Sequence, residues 1–166
     1  MRQRQTITVV FPLLMLALFL VGCPKGPATM TGASHHTSGL VTAAWPPAPG
    51  EFVAAPELKD IHFDFDRYDV RPGDAKILEA NAKWIKASPN MLVLVEGHAD
   101  ERGTNEYNLA LGERRAKATM TYLVAQGVAA SRLTLISYGE ERPFCAEPNE
   151  DCWTKNRRGH FMVKPR

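Results

Sequence analysis

The chain has 166 residues, with 20 Lys and Arg against 18 Asp and Glu, a formal net charge of +2. That length allows one ordinary domain plus accessory segments and is too short for a porin-type barrel carrying a second domain. Without the first 22 residues, which hold Arg2 and Arg4 and no acid, 18 basic residues face 18 acidic ones; with no basic stripe interleaved with aromatics, this argues against a binder of nucleic acid backbones.

Residues 1–22 read as a secretory signal. Arg2 and Arg4 make the positive start, and Ile7 to Val21 is almost wholly apolar, a run short for a membrane-spanning helix. Leu20-Val21-Gly22-Cys23 is similar to a lipobox, in which Cys23 is lipidated and becomes the new amino terminus. Acyl chains then bind the membrane by burying methylenes, at about 0.8 kcal/mol each. Position 24 is Pro rather than Asp, which under the usual sorting rule favours the outer membrane. Residues 23–57 read as a tether: Pro, Gly, Ala, Ser and Thr dominate, with little to build a core. A flexible chain of that length spans roughly 30 to 35 Å on average and on the order of 100 Å when stretched. His35-His36 reads as a solvated pair rather than a metal pair, and Trp45 and Phe52 are candidates for docking on the domain that follows.

That domain is expected over residues 58–166. Ile61, Phe63 and Phe65 alternate with His62, Asp64 and Asp66, the period of a half-buried strand. Pro72, Gly73 and Asp74 open a helix whose apolar face runs through Ile77, Leu78, Trp84 and Ile85 to Ala87, and Ser88-Pro89-Asn90 stops it. Met91 to Val95 is a short apolar run closed by Gly97, a buried strand. A loop dense in polar groups follows, with His98, Asp100, Glu101, Arg102 and Thr104; such a loop at the carboxyl end of a buried strand is where α/β sheets place binding groups. The next helix is expected from about Glu106 to Gln126, with Thr104 as N-cap and Gly127 ending it. Gly112 inside it points to close packing or to the near approach of a ligand.

Leu133 to Ser137 forms the third strand and Gly159 to Val163 the last. Cys145 and Cys152, with six residues between them, are expected to form a disulfide in an oxidising compartment, since no second Cys/His pair stands nearby to complete a metal site. The order strand, helix, strand, helix, strand, strand implies an α/β (α+β) sandwich, with helices on one face of a small mixed sheet and the last strand antiparallel.

One residue is out of place. At about 100° per residue, Leu111, Arg115, Ala118 and Tyr122 share a stripe that should be buried. A guanidinium there is costly unless an anion meets it. Two readings stand at this point: an internal salt bridge to Asp100 or Glu101, or a charged pair shared with a ligand.

Around this pair stand G-H-A-D-E-R-G-T at 97–104, E-Y-N at 106–108 and L-G-E-R-R-A at 111–116, with F-D-F-D at 63–66, S-Y-G-E at 137–140 and N-R-R at 156–158 elsewhere. Together these motifs closely resemble the OmpA C-terminal-like family. The resemblance covers roughly Leu58 to Val163. The family usually has Pro where this chain has Asn105, a change that loosens the loop without touching the charged pair.

The resemblance implies a β-α-β-α-β-β domain that grips peptidoglycan without covalent bonds, through meso-diaminopimelate of the stem peptide. Asp100 would accept hydrogen bonds from the ligand's ammonium and Arg115 would clamp its carboxylate. Phe65, Asp66, Thr104, Asn108 and Leu109 would shape the pocket. It also implies the Tol–Pal system, with TolB and other Tol proteins as partners, and a role in envelope integrity and cell division. No cofactor is expected. The competing reading, a cell-wall hydrolase using His98 with Asp100 or Glu101, lacks a nucleophile motif and a His-Glu-x-x-His metal pattern.

Overall fold

Leucine and β-branched residues fill the middle strand of the sheet, β3 (Met91–His98), whose last six residues are all buried. The structure is a computed structural model and describes residues 51–166. The leader, Cys23, Trp45 and the tether as far as residue 50 lie outside the described residues. Before β3 come β1 (Val53–Ala54), β2 (Ile61–His62) and α1 (Pro72–Ala87); after it come α2 (Asn105–Ala125), β4 (Leu133–Gly139), α3 (Glu150–Asn156) and β5 (Arg158–Pro165). β3 pairs with β4 in parallel and with β5 antiparallel. β1 and β2 lie along the outer edge of β5, both antiparallel to it.

The core lies between the sheet and the two long helices. Side chains alternate along β3 and β5, so Val93, Val95, Phe161 and Val163 face inward. They meet Leu78, Ala82 and Ile85 of α1 and Ala116 and Leu123 of α2, each large side chain contributing roughly 1.5 to 3 kcal/mol by leaving water. Gly97 and Gly112 set how closely α2 lies on β3. A Cβ at Gly97 would overlap the Gly112 carbonyl, and one at Gly112 would strike Ser137 Oγ. Close packing is therefore the reason for Gly112. The mixed sheet, the helical cover and the antiparallel last strand are as the sequence implies.

Three elements differ. The tether expected through residue 57 gives way sooner: Val53 and Ala54 pair with Val163 and Met162, and Phe52 is buried, because β5 offers a free edge to which nearby chain can hydrogen-bond. The strand expected through Phe65 ends at His62, since Arg67 N–H bonds back to Asp64 O and Asp66 adopts a left-handed φ of 55°. α3 is a helix where only a loop was expected. Asn149 caps it by accepting from Cys152 N–H at 3.0 Å, and Glu150 and Asp151 favour its positive end.

A disulfide joins Cys145 to Cys152 across this segment, and Asn156 holds the same segment through Phe144 N–H, Cys145 N–H and Cys145 O. Closing so short a loop restricts the unfolded chain by about 2 to 3 kcal/mol. The double substitution Cys145→Ser with Cys152→Ser is expected to lower unfolding free energy by that amount in urea. An unchanged midpoint would show that the bridge leaves stability untouched.

Candidate functional site

The loop leaving β3 and the start of α2 form a cavity of about 270 Å³. Thr104 sets the start of α2: it is the N-cap, and its hydroxyl accepts from Tyr107 N–H at 3.2 Å. About three turns later α2 carries Arg115 under the loop. Asp100 and Arg115 both line the cavity, with Phe65, Asp66, Asn108 and, unanticipated, Arg102, Gly103, Tyr107 and Leu111. Thr104 and Leu109 are not among its walls. The Leu109 carbonyl ties α2 to β4 by accepting from Ser137 Oγ at 2.7 Å.

Arg115 is fully buried, as its place beside Leu111 implied. The buried stripe, however, centres on Ala116, Thr119 and Leu123 rather than Ala118 and Tyr122. Arg115 does not meet Asp100 or Glu101. Its Nε donates to Arg67 O at 2.8 Å, Nη1 to His98 O at 2.8 Å and Nη2 to Asp64 O at 3.1 Å. Among the described residues no carboxylate forms an ion pair with it. Burial lowers its pKa to about 10, against the opposing pull of the Asp100 charge. A guanidinium has five N–H donors, so the three committed to carbonyls leave two on Nη1 and Nη2.

Asp100 is also buried, and its partners are two other arginines. Arg102 donates from its main-chain N–H and Nε to Oδ1, each at 3.1 Å, and from Nη2 to Oδ2 at 2.7 Å. Arg157, 57 residues away, donates from Nη1 to Oδ2 at 3.1 Å. Burial would push the Asp100 carboxyl up, but these donors outweigh it and hold the group below its ordinary range. Arg157 is itself tied to Phe63 O at 3.1 Å and to Glu150 Oε1 at 2.7 Å. Arg158 pairs instead with Asp60. Among the described residues, Asp100, Glu150 and Asp60 are the carboxylates that pair with the two arginines of the N-R-R motif.

Around the mouth, Phe65 is 55% exposed, and Asp66 accepts a hydrogen bond from Tyr107 Oη. Asn108, almost fully buried, donates to Arg102 O and Glu140. The His98 ring is buried beside Glu96 and Tyr138, and its nitrogens make no hydrogen bond among the described residues. The His98 carbonyl, not the ring, ties the loop to Arg115. The ring is not a wall of the cavity, so the His98–Asp100 pair needed by the hydrolase reading is not assembled. Among the described residues no His, Cys, Asp and Glu group is placed to hold a metal.

A sheet of this topology, with a carboxylate and a guanidinium at one strand-to-helix corner, is the frame of an OmpA-like domain. The model of the OmpA family matches residues 62–157. A peptidoglycan-associated lipoprotein of Agrobacterium fabrum is 43% identical over 144 residues, which cover 86% of this chain and 80% of that one. One from Pseudomonas putida is 43% identical over 154 residues, covering 89% and 92%. The crystal structure of the peptidoglycan-associated lipoprotein from Burkholderia pseudomallei superposes with a TM-score of 0.62 at 37% identity, over 64% of this chain and 90% of that one. The chain belongs to the OmpA family and, within it, to the peptidoglycan-associated lipoproteins.

Proposed function

We propose that this protein holds peptidoglycan without covalent bonds through meso-diaminopimelate of the stem peptide, and so links the outer membrane to the cell wall. The observation that carries the reading is Arg115: a buried cation on a cavity wall, bonded among the described residues only to carbonyls, which leaves two of its donors. A ligand carboxylate supplies the missing counter-charge through two parallel, charge-assisted bonds. Asp100 receives the ligand's ammonium at the other end. Phe65, Asp66 and Asn108 shape the walls, and Tyr107 extends them. Thr104 acts through the helix start it caps, and Leu109 by tying α2 to β4. The names of the relatives support the same binding.

The anchor belongs to this reading. Cys23 carries the lipid after removal of residues 1–22, and the chain beyond it reaches from membrane to wall. No described helix is long and apolar enough to cross a membrane. TolB and the other Tol proteins are the partners this placement implies, in envelope integrity and division. Mass spectrometry of the mature chain checks Cys23: an unmodified thiol removes the anchor.

The test of the site uses the full chain in detergent and three stem peptides. One has meso-diaminopimelate, one has lysine, which lacks the second carboxylate, and one has diaminopimelate amidated at that carboxylate. The first is expected to bind about thirtyfold or more tighter than the other two, the worth of a paired charge-assisted contact. Equal binding of all three would remove Arg115 from the recognition.

A further inference from the structure

We infer that Arg102 is the resident cation of the site: its guanidinium occupies the place on Asp100 that the ligand's ammonium takes. On binding it yields Asp100 and moves to Glu150 without leaving its aromatic clamp. This deepens the function proposed above and rests on it.

The capacity of Asp100 is the starting point. An ionised carboxylate offers about four lone-pair sites, and four hydrogen bonds already arrive, three from Arg102 and one from Arg157. An incoming ammonium has no acceptor there until a donor withdraws. Arg157 is not free to do so. Its side chain is 6% exposed and is held by Phe63 O, Thr154 and Glu150 as well. The Arg102 side chain is 31% exposed, and among the described residues its guanidinium meets, apart from Asp100, only an aromatic clamp and Glu150.

The clamp and the second carboxylate give it somewhere to go. The Arg102 guanidinium lies 4.0 Å from the Phe65 ring centroid and 4.2 Å from that of Trp153. Glu150 Oε2 is already 3.4 Å from Arg102 Nη1 and is well exposed. A small movement between the two rings exchanges one carboxylate for the other while both cation–π contacts persist. Trp153 and Glu150 both come from α3, the helix closed off by the disulfide, so this segment has a positioning role.

The two ends of the site therefore differ. Its cationic end, Arg115, has no carboxylate among the described residues. Its anionic end is closed by a cation of the protein's own. A ligand carboxylate binds without displacing any side chain, whereas a ligand amine binds only by out-competing Arg102. Neutral groups of the same shape cannot do that, so the exchange makes the anionic end selective for a charged amine.

The experiment titrates the full chain in detergent with a diaminopimelate stem peptide and with the same peptide acetylated on the second amine. Arg102→Met keeps a chain between the two rings and removes the competing charge. It is expected to bind the free-amine peptide about fivefold tighter, the worth of one partly exposed ion pair, with no gain for the acetylated peptide. In the unsubstituted chain the free-amine peptide is expected to change Trp153 fluorescence, and Arg102→Met to lose that change. Glu150→Gln is expected to weaken binding of the free-amine peptide, because Arg102 then has no second carboxylate. Unchanged or weaker binding by a folded Arg102→Met overturns the inference. If that variant does not fold, unchanged affinity in Glu150→Gln overturns it instead. If the unsubstituted chain binds neither peptide, the function proposed above falls with it.

Discussion

Arg115→Ala is expected to destabilise the domain by about 3 kcal/mol, from three lost hydrogen bonds at about 1 kcal/mol each, and to abolish sedimentation with purified sacculi. Both effects come from one side chain. Arg115 ties Asp64 O and Arg67 O, in the turn after β2, to His98 O at the end of β3. Removing it leaves the carbonyl of buried His98 to find another donor and frees the turn at Asp64 and Arg67 from the sheet. For a domain whose total stability is about 5 to 15 kcal/mol, the loss is large. Arg115→Lys separates the two effects only in part, since a single ammonium cannot span three carbonyls and a ligand. Urea denaturation checks the stability arm: a midpoint unchanged in Arg115→Ala would mean that these bonds do not hold the turn to the sheet.

Asp100→Asn is expected to give the opposite balance. Affinity for a diaminopimelate stem peptide should fall about 30- to 150-fold, the equivalent of a charge-assisted hydrogen bond of about 2 to 3 kcal/mol. Stability should fall by about 1 to 2 kcal/mol, the difference between charged and neutral hydrogen bonds at the buried carboxylate, because Arg157 keeps Phe63 O and Glu150 and Arg102 keeps its aromatic clamp and Glu150. The pH dependence follows from the depressed pKa of Asp100. A carboxylate stabilised in the fold remains ionised below its ordinary value of 3.8, so its contribution is present above that value and is lost as pH falls through the lower, folded one. The difference in affinity between the unsubstituted chain and Asp100→Asn should therefore hold from pH 7 to pH 5. Calorimetry at both values checks this; a difference that vanishes by pH 5 would place the charge elsewhere.

How much of this was legible depended on whether a signal was local. The apolar run at Met91–Val95, the Thr104 cap and the Pro72 start each carry their own chemistry, and the elements they define lie where the pattern places them. Arg115 was visible as a charge on a buried face. Its partners were not, because main-chain carbonyls of Asp64, Arg67 and His98 leave no mark in composition. Nor was the Asp100–Arg157 pair, which joins residues 57 positions apart through the meeting of β3 and β5. β1 has two residues and exists only because β5 offers an edge. α3 did leave a trace: Asn149 ahead of Glu150 and Asp151 is a cap with acids in the first turn, a signal hidden by the pair of cysteines around it.

The antiparallel course of β1 and β2 along β5 has a mechanical consequence. β1 pairs near the carboxyl end of β5 and β2 near its beginning, so the chain enters at the end of the sheet remote from the Asp100 loop and runs toward it. In the function proposed above, with a lipid at one end and a wall polymer at the other, tension would be directed along the strands. Antiparallel hydrogen bonds lie across that direction, so the β1–β5 and β2–β5 ladders share the load in shear rather than opening one bond at a time.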